Sequence, residues 1–366
     1  MTSPRPHVPP LPVRDGLNPT RLVLPHDDVS RARFATAVAY LLDRFPDDGA
    51  RLREKVAAGE VVTGSGVVVT EDTPYEPRGF LYLYRDLPDD EPVVPALTDV
   101  EVLHRDENLL VVDKPHLVAT MPRGRWVTQT VLTHLRVILG LPDLVPAHRL
   151  DRPTAGVLVL TVRPEVRGAY QLVFQERRAR KVYEAVAPLP ADGGTVRAGV
   201  ASTEPASTAG FPRTVRSRIV KRRGVVRAEE VPGEPNAESR IDLVERDPAR
   251  GLGLYRLEPR TGKTHQLRLH MASLGLPILH DPFWPELRAD APDDPARPLQ
   301  LLARSLVFDD PLTGERRELV SRRSLSAWPL PARCGYEIDG SCAGSSGDSL
   351  TTPCGTSAPA RSGRGQ

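Results

Sequence analysis

Asp151 is the residue most open to chemistry. The stretch His148-Arg149-Leu150-Asp151-Arg152-Pro153-Thr154-Ala155 is polar, and from Gly156 to Val162 it gives way to a short apolar, β-branched run. Such a run reads as a buried strand, so the carboxylate stands at the mouth of a core element, between Arg149 and Arg152. Permanent cations on both sides favour the ionised form at neutral pH. Perturbed carboxylates cluster at active sites. A loop Asp paired with a neighbouring Arg is also an ordinary surface arrangement of small energetic value. Local chemistry alone leaves both readings open.

A second stretch shifts the balance. Arg260-Thr-Gly-Lys-Thr-His-Gln-Leu-Arg-Leu-His270 is followed by Met271-Ala-Ser-Leu-Gly-Leu-Pro277. Together with His148–Thr161 it resembles the signature pair of the RluA-type pseudouridine synthases, which modify uridines in ribosomal and transfer RNA. Val111-Val-Asp-Lys-Pro115 is similar to the family's Lys-Pro segment, and Lys181-Val-Tyr183 to its Lys-x-Tyr. The motifs fall in the family's order and cover roughly Val100 to Leu330.

The resemblance implies an α+β protein with a mixed, mainly antiparallel β-sheet, flanking helices and a central RNA-binding cleft. The reaction would be isomerisation of uridine to pseudouridine within structured RNA, in large-subunit ribosomal RNA or in transfer RNA. It breaks the N-glycosidic bond, turns the base and rejoins it through C5, so the base has to be extruded into a pocket. Asp151 would act beside the ribose, either attacking C1′ or taking the 2′ proton to give a glycal. Arg268 would pair with Asp151 and keep it ionised and aimed. Tyr183 would stack on the base and assist removal of the C5 proton; stacking alone is nearly as good a reading, because an unperturbed phenol is a poor base. Arg149 would fill the gap left by the extruded base. Lys114, Arg178, Arg180, Lys181 and Lys263 are the candidate RNA contacts, against the plain reading of solvated cations. His148, His265 and His270 are expected to be structural. No cofactor and no metal is called for.

Ala155 stands where the family usually has Ser, and His280-Asp-Pro-Phe283 where it generally has Gly-Asp and then an aromatic residue. That second departure puts the shape of the loop, and with it the choice of target, in question. A non-catalytic RNA-binding ribosome-assembly factor on the same fold is the alternative; loss of the Asp would mark it, and Asp151 is present. A glycosidase acting on free nucleosides or sugars would want a second carboxyl partner, which neither signature contains.

The elements that must position these residues follow from the pattern. The 366-residue chain is long enough for a sizeable core, and its 40% apolar and 26% charged composition is that of an ordinary globular protein. A net charge of +2 requires any basic surface to be local. No stretch has the apolar length of a membrane helix, the N-terminus lacks a signal core, and Cys334, Cys342 and Cys354 all lie near the C-terminus. A cytoplasmic monomer without membrane association, partnered by ribosomal or transfer RNA, is the expectation.

Residues 1–14 are Pro-rich and expected to be disordered. Residues 15–97 read as a small RNA-binding-like module, with one helix carrying Phe34, Val38, Leu41, Leu42 and Phe45, a second from Leu52 to Ala58, a hairpin across Gly64-Ser-Gly66, and a strand from Gly79 to Tyr84. Arg51, Arg53 and Lys55 are its best basic candidates, and Asp86 to Pro95 reads as a linker. Residues 98–332 form the catalytic domain. It contains strands at Val100–Leu103 and Leu109–Pro115, helices at Thr128–Leu139 and Pro164–Arg177, and the strand from Lys181. An irregular, Arg-rich segment then runs from Pro188 to Glu238, expected as variable strands and loops that approach the RNA backbone, with an ordinary solvated charge run as the other reading. Strands at Ile241–Val244 and Leu252–Leu257 come next, then a helix at Thr264–Leu274 and closing strands at Leu299–Leu306 and Leu312–Glu318. Residues 333–366 have the composition of a disordered tail.

Overall fold

The computed structural model describes residues 9–190, 210–288 and 292–329. The expected tail, its three cysteines and part of the expected Arg-rich irregular segment lie outside those residues, as do residues 1–8 of the expected N-terminal disorder.

The N-terminal elements are β1 (Thr20–Val23), α1 (Asp28–Arg33), α2 (Ala37–Arg44), α3 (Gly49–Ala57), β2 (Val62–Thr63) and β3 (Phe80–Leu83). Helical spacing from Phe34 to Phe45 predicts one helix, and the chain makes two. The reason is a competing cap: the Asp27 carboxylate accepts from Ser30 N and starts α1, while the Thr36 hydroxyl accepts from Ala39 N and starts α2. Phe34 lies between them and still packs inward with Val38, Leu41, Leu52, Val56, Val61, Val69 and Leu81. The sheet order is β1-β3-β2. The hairpin turn is present, with Thr63 N on Val67 O at 2.8 Å, but β2 also pairs with β3. Among the expected basic candidates, Arg51 and Lys55 both engage Asp86, at 3.1 and 2.9 Å, so they face an acid of the same module.

The second sheet carries the motifs. Its strands are β4 (Glu101–Arg105), β5 (Leu109–Lys114), β6 (Val145–Pro146), β7 (Ala155–Thr161), β8 (Arg180–Pro188), β9 (Arg213–Val220), β10 (Glu229–Val231), β11 (Ala237–Asp247), β12 (Leu252–Pro259), β13 (Leu301–Asp309) and β14 (Arg316–Val320). The helices among them are α4 (Val131–Ile138), α5 (Arg167–Gln175) and α6 (Gln266–Ser273). The sheet order is β10-β9-β11-β12-β8-β13-β7-β5-β4, with β14 on β13 and β6 on β7. Every pairing is antiparallel except β13 with β7. The fold is therefore α+β with a mixed, mainly antiparallel sheet.

Both faces of β7 are covered, Leu158 and Leu160 by α4, Val157 and Val159 by α5, which is why its sequence is an unbroken apolar run. At the parallel seam Gly156, with φ +112°, lies against Ala303, and a Cβ there would meet the Ala303 carbonyl oxygen at 2.2 Å. Only glycine allows this approach.

The Arg-rich segment, expected as variable strands and loops, contributes β9, β10 and the start of β11 in its described part. In β9, Val215, Ser217 and Ile219 point inward while Thr214, Arg216 and Arg218 are exposed. A period of two was there, obscured by the arginines on the outer face. The expected linker is likewise tied down: the Glu91 carboxylate accepts from Val127 N, Thr128 N, Thr128 Oγ1 and Gln129 N at 2.6–2.9 Å, just ahead of α4. Burial alone would raise the Glu91 pKa; these donors outweigh it and hold it below the usual value.

Candidate active site

Three elements bring the proposed residues together. Asp151 lies in the turn ahead of β7, closed by Thr154 N on Asp151 O at 3.0 Å. Tyr183 lies on β8, and Arg268 on α6. Strand β13 runs between β7 and β8, with Ala303 opposite Tyr183 on one side and Gly156 on the other, so the turn and the phenol meet across one strand.

A cleft of about 510 Å³ opens there, within the range of small-molecule sites. Its walls include His148, Arg149, Asp151, Phe174, Arg177, Lys181, Tyr183, Arg260, Lys263, His265 and Arg268. Asp151 is the sole carboxylate among the described residues that line it.

Arg268 is 1% exposed and its Nη1 lies 4.0 Å from Asp151 Oδ2. That is ion-pair range without a hydrogen bond. Its hydrogen bonds go to Asp281, Nε to Oδ2 at 2.7 Å and Nη2 to Oδ1 at 2.6 Å. The guanidinium also lies over the rings of Phe283, at 4.5 Å, and Trp284, at 5.4 Å. The expected Arg268–Asp151 pairing is thus a charge contact without a hydrogen bond, and the guanidinium itself is oriented by Asp281. Asp151 is 24% exposed and faces the cleft. Asp281 escaped the sequence reading, although it sits in the segment singled out as divergent. The Gly-to-His change there has a backbone reason to be noticed, since His280 has φ +62°, in the region that favours glycine.

Lys114 is not available to phosphate. Its side chain is fully buried, and Nζ donates to Pro115 O, Val118 O and Arg152 O at 2.7–3.1 Å. Burial pushes its pKa well down while the Asp151 charge opposes that shift. The lysine secures the turn that carries Asp151. Arg152 does not flank the carboxylate through its side chain either: it pairs with Asp293, donates to Leu117 O and stacks on Trp126.

The remaining candidates divide. Arg149 and Lys263 are exposed on the cleft wall, and neither side chain has an ion pair among the described residues. Lys181 is half-buried over the Phe174 ring at 5.2 Å, and burial lowers its pKa. Arg178 and Arg180 pair with Glu176 and Glu258, at 2.9 and 3.5 Å. Burial, then the Asp151 charge, raises the Tyr183 pKa. A phenol held so firmly protonated favours stacking over proton removal.

The histidines are neutral parts of the frame. Burial lowers His148 to about 3; its Nε2 accepts from Val159 N and its ring stacks on Phe174 at 4.5 Å. Burial brings His265 to about 4 against the pull of Asp151. Among the described residues no group of His, Cys, Asp and Glu is placed to hold a metal ion. None of their helices is long and apolar enough to cross a membrane.

Residues 108–273 match the family described as RNA pseudouridylate synthase. The chain is 29% identical over 221 residues to the dual-specificity RNA pseudouridine synthase RluA of Haemophilus influenzae, spanning 59% of this chain and 90% of that one. It is 30% identical over 247 residues to the ribosomal large subunit pseudouridine synthase D of Pseudomonas aeruginosa, spanning 64% and 69%. Identity to the tRNA pseudouridine synthase C of Pasteurella multocida is 31% over 229 residues, spanning 59% and 88%. The matched stretch begins at β5 and ends with α6, taking in the turn of Asp151, Tyr183 and Arg268. The chain belongs to the RNA pseudouridylate synthases, on their RluA-type branch.

Proposed function

We propose that this chain converts uridine to pseudouridine within structured ribosomal or transfer RNA, in the cytoplasm, with Asp151 as the group that reacts at the ribose. The observation that carries this reading is Asp151, the single carboxylate among the described residues of the cleft, set 4.0 Å from a buried guanidinium. A lone acid suits this isomerisation and leaves a two-carboxylate hydrolysis without its second partner. The relatives named above have ribosomal RNA, transfer RNA or a dual specificity in their names, which supports RNA of either kind as substrate.

The target base leaves its stack and enters the cleft, at a cost of a few kcal/mol. Tyr183 offers its ring to one face of the base. Arg149, exposed at the rim, fills the space that the base vacates in this reading. As the N1–C1′ bond breaks, Asp151 either bonds to C1′ or removes the 2′ proton. The uracil turns and C5 bonds to C1′ as the Asp151–C1′ bond breaks or, in the glycal route, as Asp151 returns its proton to C2′. The C5 proton then leaves to solvent and N1 takes one up. Arg268, held rigid by Asp281, keeps positive charge beside the reacting carboxylate throughout.

Tritium release from RNA labelled at uridine C5 tests the assignment. Asp151→Asn is expected to abolish release while folding and RNA binding stay near wild type. Undiminished release overturns the assignment.

A further inference from the structure

Behind the cleft wall runs a chain of buried polar groups that the reaction does not use. We infer that Gln266, Ser239, His270 and Ser217 form a one-way hydrogen-bond relay that fixes the cleft wall at residues 260–264 from the outer β9–β10 hairpin, which makes them positioning residues for the reaction. The inference rests on the reading of the cleft as the reaction site.

The direction of the relay follows from groups whose polarity cannot change. Lys263 N–H donates to Gln266 Oε1 at 3.0 Å, and the Thr261 hydroxyl donates to the same oxygen at 2.7 Å. The amide nitrogen must therefore face the other way, where it donates to Glu238 O at 2.9 Å and Ser239 Oγ at 2.8 Å. Backbone groups pin both ends of this side chain, a donor at one and an acceptor at the other. Having accepted that hydrogen bond, Ser239 has its own hydroxyl hydrogen to donate, and His270 Nδ1 lies 2.9 Å away. A neutral imidazole that accepts at Nδ1 carries its hydrogen on Nε2. That nitrogen is 3.1 Å from Ser217 Oγ. The Ser217 proton is then left for the carboxyl of Glu230 on β10, whose Oε1 is buried without a partner.

Ser217, Ser239 and His270 are fully buried and Gln266 nearly so. Flipping the Gln266 amide would set its NH2 against Lys263 N–H, and moving the His270 hydrogen to Nδ1 would leave the Ser239 hydroxyl hydrogen without its acceptor in a dry site. The wall gains a further tie, because Thr261 Oγ1 accepts from Glu238 N at 2.9 Å. The held segment contributes Arg260, Thr261 and Lys263 to the cleft and leads into α6, where Arg268 faces Asp151. A displacement of this wall moves both the RNA contacts and the guanidinium. Misplacement by about 1 Å costs up to ~100-fold in rate.

Gln266→Glu tests the relay, with Gln266→Met beside it. The ionised Glu presents only acceptors to Ser239 Oγ and Glu238 O, whereas its protonated form regains one donor in the same shape. Its neighbours in charge are Glu238 on β11, with Arg260 and Lys263 on the wall and His270 on α6. Measured against wild type at each pH, turnover of the Glu variant is expected to be down about 100-fold at pH ~8 and to recover toward pH ~5.5, while the Met variant stays low throughout. A Glu variant equal to wild type at every pH, or one that never recovers, overturns the relay. Nitrogen-15 NMR of the histidines in the wild-type chain reads the same claim without activity: His270 is expected neutral with its proton on Nε2, and a proton on Nδ1 overturns the inference even if no variant folds. Failure of Asp151→Asn to stop turnover would leave that tautomer measurement standing, so the two readings fail separately.

Discussion

Asp281→Asn removes the charge partner that holds Arg268 while leaving the volume of the side chain. The guanidinium is 1% exposed and its partner carboxylate fully enclosed, joined by hydrogen bonds of 2.7 and 2.6 Å. Asparagine can accept one of these bonds, but its amide nitrogen then meets the second N–H donor. Breaking a buried pair from one side costs about 3–5 kcal/mol, because the other charge stays behind in a dry site. Asp151→Asn should behave in the opposite way. Its carboxylate is 24% exposed and 4.0 Å from Arg268, so its removal costs about 1 kcal/mol or less. Denaturant unfolding and tritium release, run on both variants, separate the two roles. Asp281→Asn is expected to lose several kcal/mol of stability and, through a displaced Arg268, most of its turnover. Asp151→Asn is expected to lose turnover with stability nearly unchanged. An Asp281→Asn variant within about 1 kcal/mol of wild type would refute the claim that this carboxylate anchors the guanidinium.

Two further tests follow from buried groups. Lys114→Met leaves the carbonyls of Pro115, Val118 and Arg152 without their donor and should cost about 3 kcal/mol. Its RNA affinity should keep the wild-type salt dependence, whereas Lys263→Met should flatten the slope by about 1. Burial brings His116, His265 and His270 to about 4 and His148 to about 3, against an ordinary value of 6.5. Below pH 6.5 the unfolded chain takes up protons that the folded chain refuses. Their stabilising contribution is therefore complete above that pH and is lost as pH falls toward the folded values. Each group contributes at most about 1.4 kcal/mol per pH unit, so urea unfolding at pH ~7 and ~5.5 should show a loss of several kcal/mol. A flat profile would mean that these rings protonate in place.

Much of the second sheet was legible from apolar, β-branched runs such as β7, whereas the alternation of β9 was hidden by the arginines on its outer face. The catalytic candidates were legible because Asp151, Tyr183 and Arg268 each sit inside a recognisable run. What escaped was decided by tertiary partners. Nothing in the sequence around Lys114 says that carbonyls from three residues will surround its ammonium. Likewise, the pairing of Arg268 with Asp281 depends on the loop after α6 folding back, not on spacing. α6 carries the clearest failure of periodicity: Leu267, Met271 and Leu274 marked one apolar side, yet Gln266 through Met271 are all buried, because the relay and the Asp281 pair satisfy its polar side. The break at Thr36 was written in the sequence as a capping residue, and the longer hydrophobic repeat hid it.

The parallel seam has a consequence for when this protein becomes competent. β7 and β8 are not neighbours; β13, near the end of the described chain, slots between them. A nascent polypeptide that has released the Asp151 turn and Tyr183 still lacks the strand that sets their spacing. Closing so long a loop carries an entropic penalty that only the completed sheet repays. The cleft therefore cannot be complete before β13 is in place, and a truncated translation product ending before β13 would hold the quoted motifs and yet lack the strand that sets their spacing.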